Sequence, residues 1–181
     1  MRALALFCLL LVGTPACQGG PAAQDPSPAA TGAGATTPAP EPAPTLAASP
    51  PFSTAAVTLQ LDAAEQTLPV YVADAPAERQ QGLMGVEDLP DGTGMLFAFP
   101  ADHVGGFYMK DTLIPLSIAF VSADGEVLAV LDMDPCTADP CEIYNPQVAY
   151  RYAVEVEQGY FAEVGLGAGS RIVVPEGIAA V

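Results

Sequence analysis

Ser117-Ile118-Ala119-Phe120-Val121-Ser122-Ala123-Asp124-Gly125-Glu126-Val127-Leu128-Ala129-Val130-Leu131 decides the fold. Two apolar runs of strand length flank Asp124-Gly125, a dipeptide whose residues both tolerate positive φ and so close tight hairpins. The stretch predicts antiparallel strands over 117–122 and 126–131. Downstream, 151–157 alternates, with Tyr152, Val154 and Val156 on one face and Arg151, Ala153, Glu155 and Glu157 on the other. The Gly167-Ala168-Gly169 turn then leads into a closing strand over 171–174. Upstream, 57–61 and 68–73 alternate, 95–99 is an apolar run stopped by Pro100, and 106–110 reads as a further strand.

Helices are few. Asp74 can accept the free amide hydrogens of a helix start, and Pro76 falls in the first turn, where its missing donor costs nothing. That helix is expected to run to about Met84, with Gly82 and Gly85 at its end; a second short one spans 158–164 and stops at Gly165. Residues 132–147 read as a long loop. Seven or eight short strands and one or two short helices predict an α+β domain dominated by β structure, a small curled antiparallel sheet or barrel.

Outside this domain the composition changes. Met1-Arg2 and the apolar run from Ala3 to Val12 are too short to cross a ~30 Å bilayer, which needs ~20 residues, but fit a signal peptide over 1–16 ending in Gly13-Thr14-Pro15-Ala16. Cys17 follows the small residues as in a bacterial lipoprotein signal, although Thr14 and Pro15 stand where Leu and a small residue are favoured. The alternative is plain secretion with cleavage after Ala16. Residues 17–53 are then a disordered tether rich in Pro and Ala, with Asp25 and Glu41 its only charges. The single domain occupies 54–181. This plan places the protein in the periplasm or at the cell surface, membrane-attached only through lipidated Cys17.

The chain has 181 residues, 21 Asp plus Glu against 5 Lys plus Arg, and a net charge of −16. Nineteen of the acids and four of the cations (Arg79, Lys110, Arg151, Arg171) lie beyond residue 54, so the domain alone carries −15. Such a balance argues against nucleic acid as a partner, because phosphate contacts need cations. One histidine cannot build a His-rich metal site or a pair of catalytic imidazoles. No nucleophile motif, phosphate loop or cofactor fingerprint is present, so no catalytic residue, metal ligand or cofactor is assigned.

Arg79-Gln80-Gln81-Gly82-Leu83-Met84, Gly94 to Phe99, the block Phe107-Tyr108-Met109-Lys110-Asp111-Thr112-Leu113-Ile114-Pro115-Leu116-Ser117-Ile118-Ala119-Phe120, the Asp124-Gly125 hairpin, Pro135-Cys136 with Tyr144, and Tyr152-Ala153-Val154-Glu155-Val156 with Gly159 occur in a telling order. In that order they resemble the domain-of-unknown-function 192 family, also called UPF0127, over roughly 57–175. The resemblance implies a small β-rich domain, often exported or membrane-attached, with no established catalytic residues or cofactor. Tyr108 stands where that family typically has Trp, Asp111 where it has Asn, and Ser117 and Ser170 where it has Asp. Any function needing a carboxylate at the last two positions is in doubt in this chain.

Within the most specific block, Tyr108, Lys110 and Asp111 are ligand-binding candidates, together with Tyr144 and Arg151. Adjacent strand residues point to opposite faces, so Lys110 and Asp111 are not expected to act together, and a structural salt bridge is the competing role. Cys136 and Cys141 are spaced too widely for a CxxC redox motif, and in an exported protein are expected to form a structural disulfide. Met84, Met95, Met109 and Met133 lack close Met-x-x-Met spacing and are expected to fill core rather than hold Cu(I). Asp132, Asp134, Asp139 and Glu142 form an acidic loop without EF-hand spacing, expected to be solvated rather than to bind Ca²⁺. His103 is expected to be an exposed loop residue rather than a general base. The function expected is a binding or interaction module for an envelope protein or small ligand. A small hydrolase or transferase working through an acidic site is the alternative, and envelope metal handling a third.

Overall fold

The computed structural model describes residues 52–178. The signal segment over 1–16, Cys17 and the tether as far as residue 51 lie outside the described residues. The domain consists of β1 (Ser53–Gln60), β2 (Glu65–Ala73), α1 (Pro76–Gln81), β3 (Gly94–His103), β4 (Phe107–Tyr108), β5 (Leu116–Val121), β6 (Val127–Met133), β7 (Ile143–Tyr144), β8 (Tyr150–Glu157), α2 (Tyr160–Val164) and β9 (Arg171–Val173). Seven strands form one sheet in the order β6-β5-β8-β3-β2-β1-β9, and β4 pairs with β7 in a second, two-stranded sheet. The expected β-dominated α+β class is observed.

The large sheet curls nearly into a barrel. Its first and last strands meet at the Glu126–Arg171 bridge, where Val127 N–H donates to Ser170 C=O and Ile172 N–H to Gly125 C=O. Gly125 makes this approach possible. Its φ is +88°, and a Cβ there would lie 2.6 Å from the Ile172 carbonyl oxygen. The hairpin turn itself differs from expectation: Gly125 N–H donates to Ser122 C=O, and only Gly125, not Asp124, takes positive φ. A four-residue turn with one left-handed glycine replaces the two-residue form.

Alternation divides the apolar residues between two cores. Leu68, Val70 and Val72 of β2, Leu96 of β3, Ala119 and Val121 of β5 and Val154 and Val156 of β8 fill one face of the curled sheet, closed by Phe161 of α2 and by Leu166. Tyr71, Met95, Phe97, Ile118, Phe120 and Ala153 belong to the opposite face, covered by Leu83, Val86 and Leu89 after α1 and by Met109. The sheet is therefore buried on both sides. Ala153 and Glu155 accordingly lie inside, although alternation in β8 put them on the polar face.

The structure differs from the sequence expectation in five local features. β2 and β3 run parallel, because the chain passes through α1 and the 82–93 segment before returning to the sheet. β3 continues past Pro100 to His103, with a register shift between Ala98 and His103. Proline has no N–H to give the ladder, so the shift falls where pairing would fail. Helix α1 is capped by Ala75, not Asp74; the Glu78 carboxylate reaches back to accept from the Asp74 and Ala75 amides. The 106–110 strand shortens to two residues, and the 132–147 loop contains the end of β6 and all of β7.

Candidate ligand-binding site

β3, β4 and β8 supply the walls of a cavity of about 170 Å³ that α1 and the turn after it roof over. β3 contributes Phe97, Phe99 and His103, β4 contributes Phe107, and β8 contributes Tyr150 and Glu155. The rings pack on one another. Phe99 stacks on His103 with centroids 4.4 Å apart and planes 6° from parallel, Tyr150 stands edge-on to both, and Phe97 meets Phe107 at 4.9 Å. Offset and edge-to-face pairs of this kind add ~0.5–1.5 kcal/mol each beyond their buried area. The register shift in β3 lets Phe99 and His103 stack on each other.

Arg79 of α1 closes one side. Its Nη1 donates to the Asp74 and Ala98 carbonyls, the latter at 2.9 Å, and its guanidinium lies 5.4 Å from the centre of the Phe99 ring. One side chain thereby ties the helix to β3. Gly82, where α1 ends, has φ +47°, and a Cβ there would come within 3.2 Å of the Phe97 ring. A side chain at that position would press on the cavity wall.

Glu155 is the unusual member. It is 5 % exposed, and among the described residues no hydrogen bond or ion pair engages its carboxyl. Burial alone pushes its pKa up from the ordinary 4.5 to about 8, so the group is an uncharged carboxylic acid at neutral pH. Burial also raises the Tyr150 phenol far above its usual range, and that hydroxyl donates to the Gly105 carbonyl at 3.5 Å. The site thus presents an acid that can donate a hydrogen bond when neutral or meet a cation when ionised.

The candidates drawn from sequence are dispersed. Tyr108 reaches the cavity rim and is half exposed. Lys110 pairs with Asp139 at 2.7 Å, which fits the salt-bridge role and holds its ammonium above the ordinary range. Asp111 is exposed in a turn at φ +55°. The Tyr144 hydroxyl accepts from the Asp134 amide, and Arg151 pairs with Asp102 at 2.9 Å. These five do not share one pocket. His103 is not a free loop residue but half-buried in the aromatic wall, and among the described residues no hydroxyl or thiol is hydrogen-bonded to it.

The expected disulfide is present between Cys136 and Cys141. Asp139 lies near both sulfurs, but the bond between them leaves no thiolate to ligate a metal. Asp132 accepts from Ser117 Oγ and Asp134 from Gln158 Nε2, so the acidic loop is spread over separate contacts. Met95, Met109 and Met133 are buried in the core, as their apolar context predicts, while Met84 lines the cavity. Glu155 was read only as one position of an alternating strand. The signal available for it was an acid sharing a strand face with Ala153, within a block that carried the family resemblance.

The DUF192 family model, described as "Uncharacterized ACR", matches residues 57–174. Among solved structures, a protein of Sinorhizobium meliloti 1021 described as a candidate transcription regulator is similar with a TM-score of 0.63 and 26 % identity, covering 67 % of this chain and 93 % of that one. A protein of unknown function from Novosphingobium aromaticivorans DSM 12444 is similar at a TM-score of 0.63 and 24 % identity, covering 77 % of this chain and 94 % of its own. No curated protein matches.

Proposed function

The chain belongs to the DUF192 family, and from that premise we propose that it is an exported, lipid-anchored envelope protein whose β-rich domain binds a small molecule in the cavity between α1, β3 and β8. The observation that supports binding most directly is Glu155, a buried acid with no hydrogen bond or ion pair among the described residues, lining a ring-walled cavity. A carboxyl held in a weakly solvated site without a hydrogen-bond partner is costly, and a ligand that satisfies it recovers part of that cost. Pockets that combine apolar walls with one or two aimed polar groups are the usual form of ligand sites. Export is supported by the apolar run before Cys17 and by the Cys136–Cys141 disulfide, a bond suited to oxidising compartments.

The description of the Sinorhizobium meliloti structure raises a role in transcription. The net charge of −16 weighs against direct contact with DNA here. The binding reading is tested by screening charged and neutral small molecules against the full chain and mapping amide shifts. Shifts at Gly82, Gly106 and Tyr150 are expected, and shifts confined to other surfaces would refute it. Lipidation is tested by labelled palmitate, incorporated by the native chain and not by Cys17→Ala.

A further inference from the structure

The geometry points to a small organic ammonium ion as the ligand of this cavity, its charge held by the Glu155 carboxylate and the faces of the surrounding rings. The inference rests on the binding reading above and adds the class of ligand. Glu155 lacks any cation of its own among the described residues, and a ligand cation supplies one. Phe97, Phe107 and Tyr150 line the space with aromatic surface, which attracts ammonium groups through the ring quadrupole.

Every other charged or titratable group on the walls is committed elsewhere. Arg79 is engaged by two main-chain carbonyls and the Phe99 ring. Its charge is felt at Asp74, whose carboxyl is pushed up by burial and by Glu78 but drawn down by Arg79. No comparable influence reaches Glu155, where burial is the sole cause of the shift. His103 is stacked on Phe99, Tyr108 is half exposed at the rim, and the Tyr150 hydroxyl donates to the Gly105 carbonyl. A hard metal ion is a poor fit, because it takes six or more oxygen ligands and this wall offers one carboxyl. An anion would enter against a domain charge of −15. The volume of about 170 Å³ equals roughly five or six waters at ~30 Å³ each, room for a short-chain amine.

Binding balances simply: the ammonium keeps its proton, and Glu155 releases one to solvent. The test uses the full chain with butylammonium chloride, and 1-butanol and sodium butyrate as neutral and anionic counterparts of the same shape. Amide shifts of Gly82 and Gly106 report occupancy. Butylammonium stays protonated over this range, as a lysine ammonium does, so the pH dependence comes from the protein, and Glu155→Gln isolates the part that Glu155 sets apart from His103 on the same wall. Affinity is expected to rise about tenfold from pH 6 to pH 7 and to level off above pH 8, with about one proton released per ligand at pH 6. Glu155→Gln is expected to lose at least tenfold in affinity and the pH dependence with it. Proton release measured calorimetrically on the native chain gives the same answer without a variant. Butanol or butyrate binding as well as butylammonium, or butylammonium affinity indifferent to pH, would overturn the ammonium assignment and leave the cavity a binding site. No shift at these amides with any of the three would overturn both.

Discussion

Replacing Glu155 by glutamine is expected to change how the stability of this domain responds to pH. In the folded chain the carboxyl keeps its proton up to about pH 8, whereas in the unfolded chain it ionises near 4.5. Below pH 4.5 both states carry the proton and the group contributes no difference. Between pH 4.5 and about 8 only the unfolded state is ionised, so each rise in pH favours unfolding by up to ~1.4 kcal/mol per pH unit. Across that window the loss reaches ~5 kcal/mol, and at pH 7 it already stands near ~3 kcal/mol, a large share of the 5–15 kcal/mol typical of a folded domain. Above pH 8 both states are ionised and the loss stays constant. Glutamine cannot titrate, so the native-minus-variant difference isolates this one group from the other acids. Urea unfolding of both chains at intervals from pH 5 to pH 9 supplies the measurement. The native protein is expected to lose stability relative to Glu155→Gln steadily to pH 8 and then no further. A difference that stays flat from pH 5 to 8 would show that the folded-state carboxyl is solvated and that Glu155 is not buried in the cavity wall.

Arg79→Ala is expected to cost about 1–3 kcal/mol in urea unfolding, since it removes two hydrogen bonds to carbonyls and the contact with Phe99. An unchanged midpoint would mean that Arg79 does not tie α1 to β3. Gly125→Ala is expected to cost at least ~1–2 kcal/mol from its positive φ alone, and more from the clash with the Ile172 carbonyl; a thermal melt equal to native would contradict the pinned turn. The Cys136–Cys141 bond closes only a short loop, and reducing it is expected to cost about 2 kcal/mol, seen as a lower melting temperature in dithiothreitol. Ser117→Ala strands the Gly159 amide and one Asp132 oxygen, with an expected loss of ~1–3 kcal/mol. Native stability there would show that water replaces the hydroxyl.

The fold was readable because its main determinants are local. Alternation in 57–61, 68–73 and 151–157 and the Asp124-Gly125 turn placed the strands, and apolar runs such as 95–99 named the core. Burial on both faces was less visible. Tyr71, Ala73, Met95 and Phe97 share a face that needs α1 and the 82–93 segment to cover it, and nothing in a strand's own sequence says what will pack above it. Glu155 was missed for that reason: in an exposed strand an alternating acid is ordinary, and only the covering layer makes it costly. His103 and Phe99 stack through a register shift that no periodicity announces. Lys110 and Asp139 are 29 residues apart, and their pairing depends on how the disulfide loop folds back.

Joining β6 to β9 at Glu126–Arg171 also decides where another strand could attach. The three residues of β9 lie against Thr58–Gln60 of β1, and the turn before them bonds to Val127, so the seam between the two ends of the sheet is closed there. From Leu128 to Met133, β6 pairs with β5 alone, leaving one short edge open to strand addition. Exposed Asp132 stands on that edge, and inserting a charged strand edge-to-edge against a second copy of an acidic domain is unfavourable. On β6, sheet extension is therefore limited to a six-residue margin that already carries a guard.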